Sequence, residues 1–304
     1  MPCFSPLQGV RLDAIGASGK RQVKIFPKQP NFTVIHPDKF DVGCGQCVGC
    51  RLERSRQWAV RCVHEASLHE DNCFITLTFD NENLLNRENP FSVEIRDFQL
   101  FMKKLRRRYG NGIRYFHCGE YGDLNGRPHY HACIFNFDFK DKRLYKIVNG
   151  HRLYISDALQ ELWPYGFSTI GDVTFDSAAY VARYIMKKVT GDKAYEHYNK
   201  YGIEINPEYV SMSRRKGIAK EWFDKNWRDI YVEGQDSIVI NGKKVRPPKY
   251  YDTQYEIVNP SDLNFLKNQR VINAEKYADN NTPDRLFVRE RVKKAAISKL
   301  VRNL

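Results

Sequence analysis

The chain has 304 residues, room for one large domain or two, and a 42% hydrophobic content that suffices for a real core. Its formal net charge of +13 and sequence pI of about 9.3 favour a polyanionic partner such as nucleic acid. No run approaches the roughly 20 apolar residues of a spanning helix, and MPCFSPLQGV lacks the basic and apolar regions of a secretory signal, so a basic cytoplasmic protein with no membrane partner is expected. The chain also carries eight cysteines, but it is too large and too charged for a small disulfide scaffold. CGQCVGC sets Cys44, Cys47 and Cys50 at two-residue spacings in a Gly-rich loop. Thiolates so spaced can converge on a tetrahedral zinc, and Cys3 is the fourth ligand by elimination. An iron–sulfur cluster and plain free thiols are the competing readings. Cys62, Cys73, Cys118 and Cys133 sit among apolar neighbours and read as core.

From Arg51 the pattern is regular. Trp58, Ala59, Cys62, Val63 and Ala66 recur at helical spacing, which predicts an amphipathic helix over about 53–69. CFITLTF, Cys73 to Phe79, is β-branched and aromatic, hence a strand. Phe98, Phe101, Met102, Leu105 and Tyr109 make the apolar stripe of a second helix, with KKLRRR opposite and YGNG closing it. IRYFHCGE and HYHACIFNF follow as two strands of a hairpin joined by YGDLNGR. Ser156 caps a short helix through Leu162, GFSTIGDVTF is a fourth strand and DSAAYVARYIMKKV a helix. The order strand, helix, strand, strand, helix, strand, helix predicts an α+β fold. It is the split βαβ, ferredoxin-like arrangement, an antiparallel sheet with helices on one face and the other face free. Beyond residue 192, RRKGIAKEWF reads as a basic turn and helix, SIVINGKKVRPP as a hairpin, and the last twenty residues as a basic amphipathic helix.

Side chains two apart on a strand share a face, so His129 and His131 point together while Tyr130 turns away with Ala132 and Ile134. Glu120, at the same end of the neighbouring strand, can add an oxygen ligand. Two imidazoles and a carboxylate suit a divalent ion of phosphoryl-transfer chemistry, Mn²⁺ better than Mg²⁺. A lone H-x-H strand is as often structural. Tyr180 and Tyr184 lie four apart and stack on one helix face, each followed three residues later by a cation, Arg183 and Lys187. A phenolate beside a cation can attack a phosphodiester, although two core-facing aromatics give the same spacing.

Taken together these segments resemble the HUH endonucleases over residues 72–190. FITLTF resembles their first strand motif, EYGDLNGRPHYHACIF their metal-binding motif and YVARYIMKK their tyrosine motif. The Y-x-x-x-Y pair resembles the rolling-circle initiators of small single-stranded DNA phages. The start M-x-C-x-x-P, the C-G-x-C-x-x-C loop and SRRKGI are similar to the replication initiation proteins of gokushoviruses, a resemblance that reaches about residue 223. Tyr130 departs from the hydrophobic residue between the histidines, and residues beyond about 235 match no known pattern.

The resemblance implies an HUH core over 72–192, preceded by a cysteine-rich segment with a helix over 1–71 and followed by a basic extension over 193–304. It further implies a metal-dependent nickase that cuts and rejoins single-stranded or supercoiled origin DNA through a 5′-phosphotyrosine, inside the bacterial host's cytoplasm. His129, His131 and Glu120 would hold Mn²⁺ or Mg²⁺, Tyr180 and Tyr184 would act as nucleophiles with Arg183 and Lys187 beside them, and Arg127, Lys188, Arg214, Arg215 and Lys216 would contact DNA. With no G-x-x-x-x-G-K-[ST] motif, unwinding falls to a host helicase working with a host polymerase. A plasmid relaxase or transposase of the same superfamily is the nearest alternative. A non-catalytic module stacking bases on Phe116 or Phe135 is another.

Overall fold

A computed structural model describes residues 3–16, 21–26, 34–122, 125–183, 193–200, 203–232, 235–240 and 242–299. The chain forms two compact units, Met1–Arg54 with Arg270–Arg302, and Ser55–Gln269. In the first, strands β1 (Leu7–Ile15), β2 (Arg21–Phe26) and β3 (Lys39–Val42) make an antiparallel sheet in the order β2-β1-β3. Helix α1 runs Val48–Ala66, so it starts five residues earlier than periodicity suggests and takes Cys50 into its first turn.

The larger unit then proceeds through β4 (Asn72–Leu77), α2 (Asn81–Leu85), α3 (Ile95–Tyr109), β5 (Arg114–Tyr121) and β6 (Pro128–Phe135). Next come β7 (Arg143–Val148), β8 (His151–Ile155), α4 (Asp157–Leu162), β9 (Ser168–Gly171) and α5 (Phe175–Arg183). A short helix α6 (Lys193–Tyr198), the two-residue strands β10 (Asn199–Lys200) and β11 (Ile203–Glu204), and β12 (Tyr209–Met212) lead into the C-terminal helices. These are α7 (Lys220–Ile230), α8 (Lys249–Val258), α9 (Pro260–Glu275) and α10 (Pro283–Ser298).

The α+β class and the antiparallel sheet are as expected, but the sheet has seven strands, β12-β5-β6-β4-β9-β8-β7. The four anticipated strands form its centre. The added hairpin β7–β8 turns at Asn149 and Gly150, both at positive φ, the geometry of a tight primed turn. On one face, β4 alternates strictly and sends Cys73, Ile75 and Leu77 against Phe98, Phe101, Met102 and Leu105 of α3 and Leu159 and Leu162 of α4. Ser156 caps α4 as anticipated, accepting a 3.0 Å bond from the Leu159 amide.

The expectation of helices on one face does not hold. α1 and α5 cover the other face, where Ala59 and Cys62 meet Phe116, Cys118, Cys133, Phe135 and the alanines of α5. α1 is itself buried on both sides. Its Val60 joins Phe223 of α7, Tyr251 and Tyr255 of α8 and Leu263 and Leu266 of α9 in a third apolar cluster, which gives the extension as far as α9 a packing role. The hairpin in SIVINGKKVRPP is present, Ile238–Ile240 against Lys243–Val245. α10 departs from the amphipathic reading: Leu286 is buried, but Phe287, Val288 and Val292 are exposed.

Candidate active site

β6 sits between β5 and β4, and its register sets the site. His129 pairs with Glu120 of β5, and His131 pairs with Cys118 of β5 and Thr76 of β4. Alternation puts all of these on the α1/α5 face, while Tyr130, Ala132 and Ile134 enter the opposite core. His131 and Glu120 are buried and lie 3.1 Å apart through Nε2 and Oε1. The Thr76 hydroxyl lies 3.0 Å from His131 Nδ1. A carboxylate only accepts, so a neutral imidazole donates its Nε2–H to Glu120 and accepts at Nδ1 from Thr76. Phe74 stacks beneath the ring with centroids 6.0 Å apart.

His129 lies nearly parallel to His131, with ring centroids 6.4 Å apart. Its ring occupies space that only glycine leaves: a Cβ on Gly122 would fall 2.7 Å from His129 Cε1. Burial, with His131 alongside, holds the His129 pKa below its ordinary value. The ring is therefore neutral, the form that binds metals. Its buried Nδ1 has no protein partner.

α5 brings in Tyr180. Ala178, Ala179 and Ala182 are buried and let this helix lie close to the sheet, and Ser55 of α1 bonds the Ala179 carbonyl at 2.8 Å. The Tyr180 ring meets His131 edge-on, with centroids 5.1 Å apart and planes at 87°. Thr174 and Ser177 cap the helix reciprocally, with bonds of 2.8 and 3.1 Å. Tyr180 is the sixth residue of α5, past the first turn where the helix dipole acts.

The remaining expected residues divide. Arg183 is exposed and its Nε donates to the Ala179 carbonyl at 3.3 Å. Tyr184, Lys187 and Lys188 lie outside the described residues. Arg127 is engaged by the Asn81 side chain at 2.7 Å and the Phe79 carbonyl at 2.6 Å. Arg214, Arg215 and Lys216 are exposed on a fixed loop: Arg114, itself paired with buried Glu65, donates to the Arg215 and Lys216 carbonyls at 3.0 and 2.7 Å. Lys216 also pairs with Glu221 at 2.6 Å. Phe116 and Phe135 are fully buried under α1 and α5, which removes the stacking platform of the non-catalytic reading.

His129, His131 and Glu120 share a face, but their ligand atoms do not come within one ion's reach of each other as a set of three. Among the described residues the cluster that does is Cys3, Cys44, Cys47 and Cys50, which can hold a structural metal. The residues that sequence reasoning missed are Thr76, Phe74 and Gly122. The first two carried a signal, since alternation in CFITLTF puts them on the face opposite Ile75 and Leu77.

The family model for replication-associated protein ORF2/G2P matches residues 72–189, the stretch from β4 through α5 that builds this site. Replication-associated protein VP4 of Bdellovibrio phage phiMH2K is 34% identical over 230 residues, 73% of this chain and 69% of that one. Replication-associated protein ORF2 of Spiroplasma virus 4 is 36% identical over 242 residues, 75% of this chain and 72% of its own. The chain belongs to the replication-associated proteins of the Microviridae. Replication-associated protein ORF4 of Chlamydia phage 1 is a further relative, 29% identical over 252 residues, 79% of this chain and 57% of that one. No solved structure matches. Among the described residues no helix is long and apolar enough to cross a membrane.

Proposed function

We propose that this protein initiates rolling-circle replication, cutting and rejoining one strand of the viral origin through a tyrosine ester. The observation that carries the reading is Tyr180 set against the His131–Glu120 pair. A tyrosine placed by a helix on a histidine–carboxylate pair is the arrangement phosphodiester transesterification needs. The Tyr180 phenol loses its proton and its oxygen attacks phosphorus. The bond to the 3′ oxygen breaks, that oxygen takes a proton, and the 5′ phosphate stays on the tyrosine. The ester keeps the bond energy, so rejoining to a 3′-hydroxyl needs no nucleotide.

Two imidazoles and a carboxylate are a donor set of the kind Mn²⁺ accepts, and the partnerless His129 Nδ1 fits such a role. His129, His131 and Glu120, drawn closer than the spacing they have here, would hold the ion, which when bound would polarise the phosphate and offset its growing charge. Thr76 serves either tautomer of His131, since its hydroxyl both donates and accepts. Tyr184 is the second nucleophile of the proposal, for closing the circle after one round. The excess of positive charge, with Arg214 and Arg215 exposed, supplies phosphate affinity. A host helicase and polymerase supply unwinding and synthesis, and the reaction takes place in the host cytoplasm.

The test is a nicking assay on supercoiled origin DNA with and without Mn²⁺. Wild-type protein should relax the circle only with metal and leave protein on the new 5′ end. His131→Ala should bind DNA but fail to nick, and nicking by His131→Ala at the wild-type rate would overturn the assignment.

A further inference from the structure

The described part of the first 54 residues buries few apolar side chains. Among the described residues of that stretch, the buried apolar side chains are Cys3, Val10 and Val34, whereas Ile15, Val23, Ile25 and Ile35 are exposed. A three-stranded sheet with so small a core needs another staple. The four thiols stand where such a staple would be. Cys3 precedes β1, Cys44 follows β3 by two residues, and Cys47 and Cys50 bracket the start of α1.

We infer that Cys3, Cys44, Cys47 and Cys50 bind one zinc ion, which stands in for the missing core of the N-terminal sheet. The distances carry it. Zn–S bonds of about 2.3 Å place the four sulfurs of a tetrahedral site about 3.8 Å apart. Cys3 Sγ lies 3.7 Å from Cys44 Sγ and 3.8 Å from Cys47 Sγ. All four sulfurs fall within 4.8 Å of one another. Disulfides need about 2.05 Å, so these are separate thiols. A four-iron cluster occupies the space between its ligands and spreads them wider than this cage.

Backbone amides support the same assignment. Phe4 N–H points at Cys47 Sγ at 3.3 Å, Cys44 N–H at Cys3 Sγ at 3.4 Å and Cys47 N–H at Cys44 Sγ at 3.3 Å. Such donors stabilise thiolates and orient metal ligands. Gly45 has φ +75°, the left-handed turn that lets Cys44 and Cys47 face the same point. A Cβ on Gly43 would lie 3.4 Å from Cys50 Sγ, so the chain also passes close to that sulfur. Four thiolates around Zn²⁺ leave a net charge of −2, and Arg54 reaches the Gly45 turn.

The experiment uses the full chain, purified without chelator. Elemental analysis should find about one zinc per chain, and Cys44→Ser and Cys50→Ser should each lose it. So that the result does not depend on either variant folding, wild-type protein is also reconstituted with Co²⁺ alone, which should give the intense visible absorption and sulfur-to-cobalt charge transfer of a tetrahedral thiolate site. Stripping zinc from wild-type protein should speed amide exchange in Leu7–Val10 and Lys39–Val42 by at least about tenfold while β4–β6 stay protected. Iron in place of zinc, zinc retained by Cys44→Ser, a cobalt spectrum without thiolate character, or unchanged exchange after stripping would each overturn the inference. None of these readouts depends on nicking, so failure here and failure of the proposed activity are separate results.

Discussion

Replacing Thr76 with valine keeps the shape of the side chain and deletes the one hydroxyl that meets His131 Nδ1 at 3.0 Å. His131 is only 6% exposed, so water does not readily take the hydroxyl's place. Leaving a buried nitrogen unpartnered costs about 1–3 kcal/mol, or roughly 2–4 °C of melting temperature per kcal/mol for a domain of this size. The functional effect should exceed the stability effect, because the hydroxyl fixes which His131 nitrogen faces Glu120. Losing a group that orients a metal ligand typically costs about 10–100-fold in metal affinity or activity. The assay is the initial rate of adduct formation on a single-stranded origin oligonucleotide, followed across a Mn²⁺ titration below the lower melting point. Thr76→Val should need about 10–100 times more Mn²⁺ for half its maximal rate. Thr76→Ser restores the hydroxyl and should sit close to wild type. If valine matches wild type in both readouts, the positioning role is wrong. If serine is as impaired as valine, restoring the hydroxyl is not sufficient and the hydrogen bond alone does not account for the role of Thr76.

Tyr180→Phe and Tyr184→Phe should each still form a covalent adduct with the oligonucleotide while the double variant forms none; if peptide mapping of both single variants puts every adduct on one residue, the alternation of nucleophiles is wrong. Burial holds the His64 pKa at about 4 and the His117 pKa at about 3, against an ordinary 6.5. Unfolding therefore takes up protons below pH 6.5, and stability should fall by about 1.4 kcal/mol per pH unit for each imidazole as pH drops toward 4. Urea midpoints measured from pH 7 to pH 4 should show this, and His117→Phe should remove about half of the slope; an unchanged slope in that variant rejects it as a contributor. Gly119→Ala would put a Cβ 2.6 Å from the Tyr209 ring on the paired strand β12. It should cost about 1–3 kcal/mol by overpacking, and a change below about 0.5 kcal/mol in chemical denaturation would show that the ring yields freely.

Local rules found the elements whose burial is one-sided and regular. The α3 stripe and the short helix behind the Ser156 cap each read directly because one face meets a core and the other does not. β7 and β8 escaped notice for the opposite reason: RLYKIV is almost wholly exposed, so no apolar alternation marks it, and only Asn149-Gly150 betrays the turn. α1 showed its Ala59/Cys62 stripe but not that Val60 faces a second core, since that partner arrives from residues some 160 positions later in the chain. Spacing alone put His129, His131 and Glu120 on one face, yet it could not say that Glu120 would bond His131 directly, nor that Thr76 would hold the far nitrogen.

For the proposed reaction, the burial along β6 bears on where a substrate would enter. His129 is half-buried, while His131 is buried and Cys133 and Phe135 are fully buried in the cluster with α1 and α5. Tyr180, also half-buried, stands over the same boundary. Among the described residues the face is therefore less buried at His129 than farther along β6. On the proposed reading, a phosphate arriving at this end would meet His129 and Tyr180 while the His131–Glu120 pair stays in the low-dielectric interior, where its charge and hydrogen bonds act with little screening. The same packing explains why α5 carries alanines at 178, 179 and 182: larger side chains would lift the helix and carry the Tyr180 ring away from the imidazole it now touches.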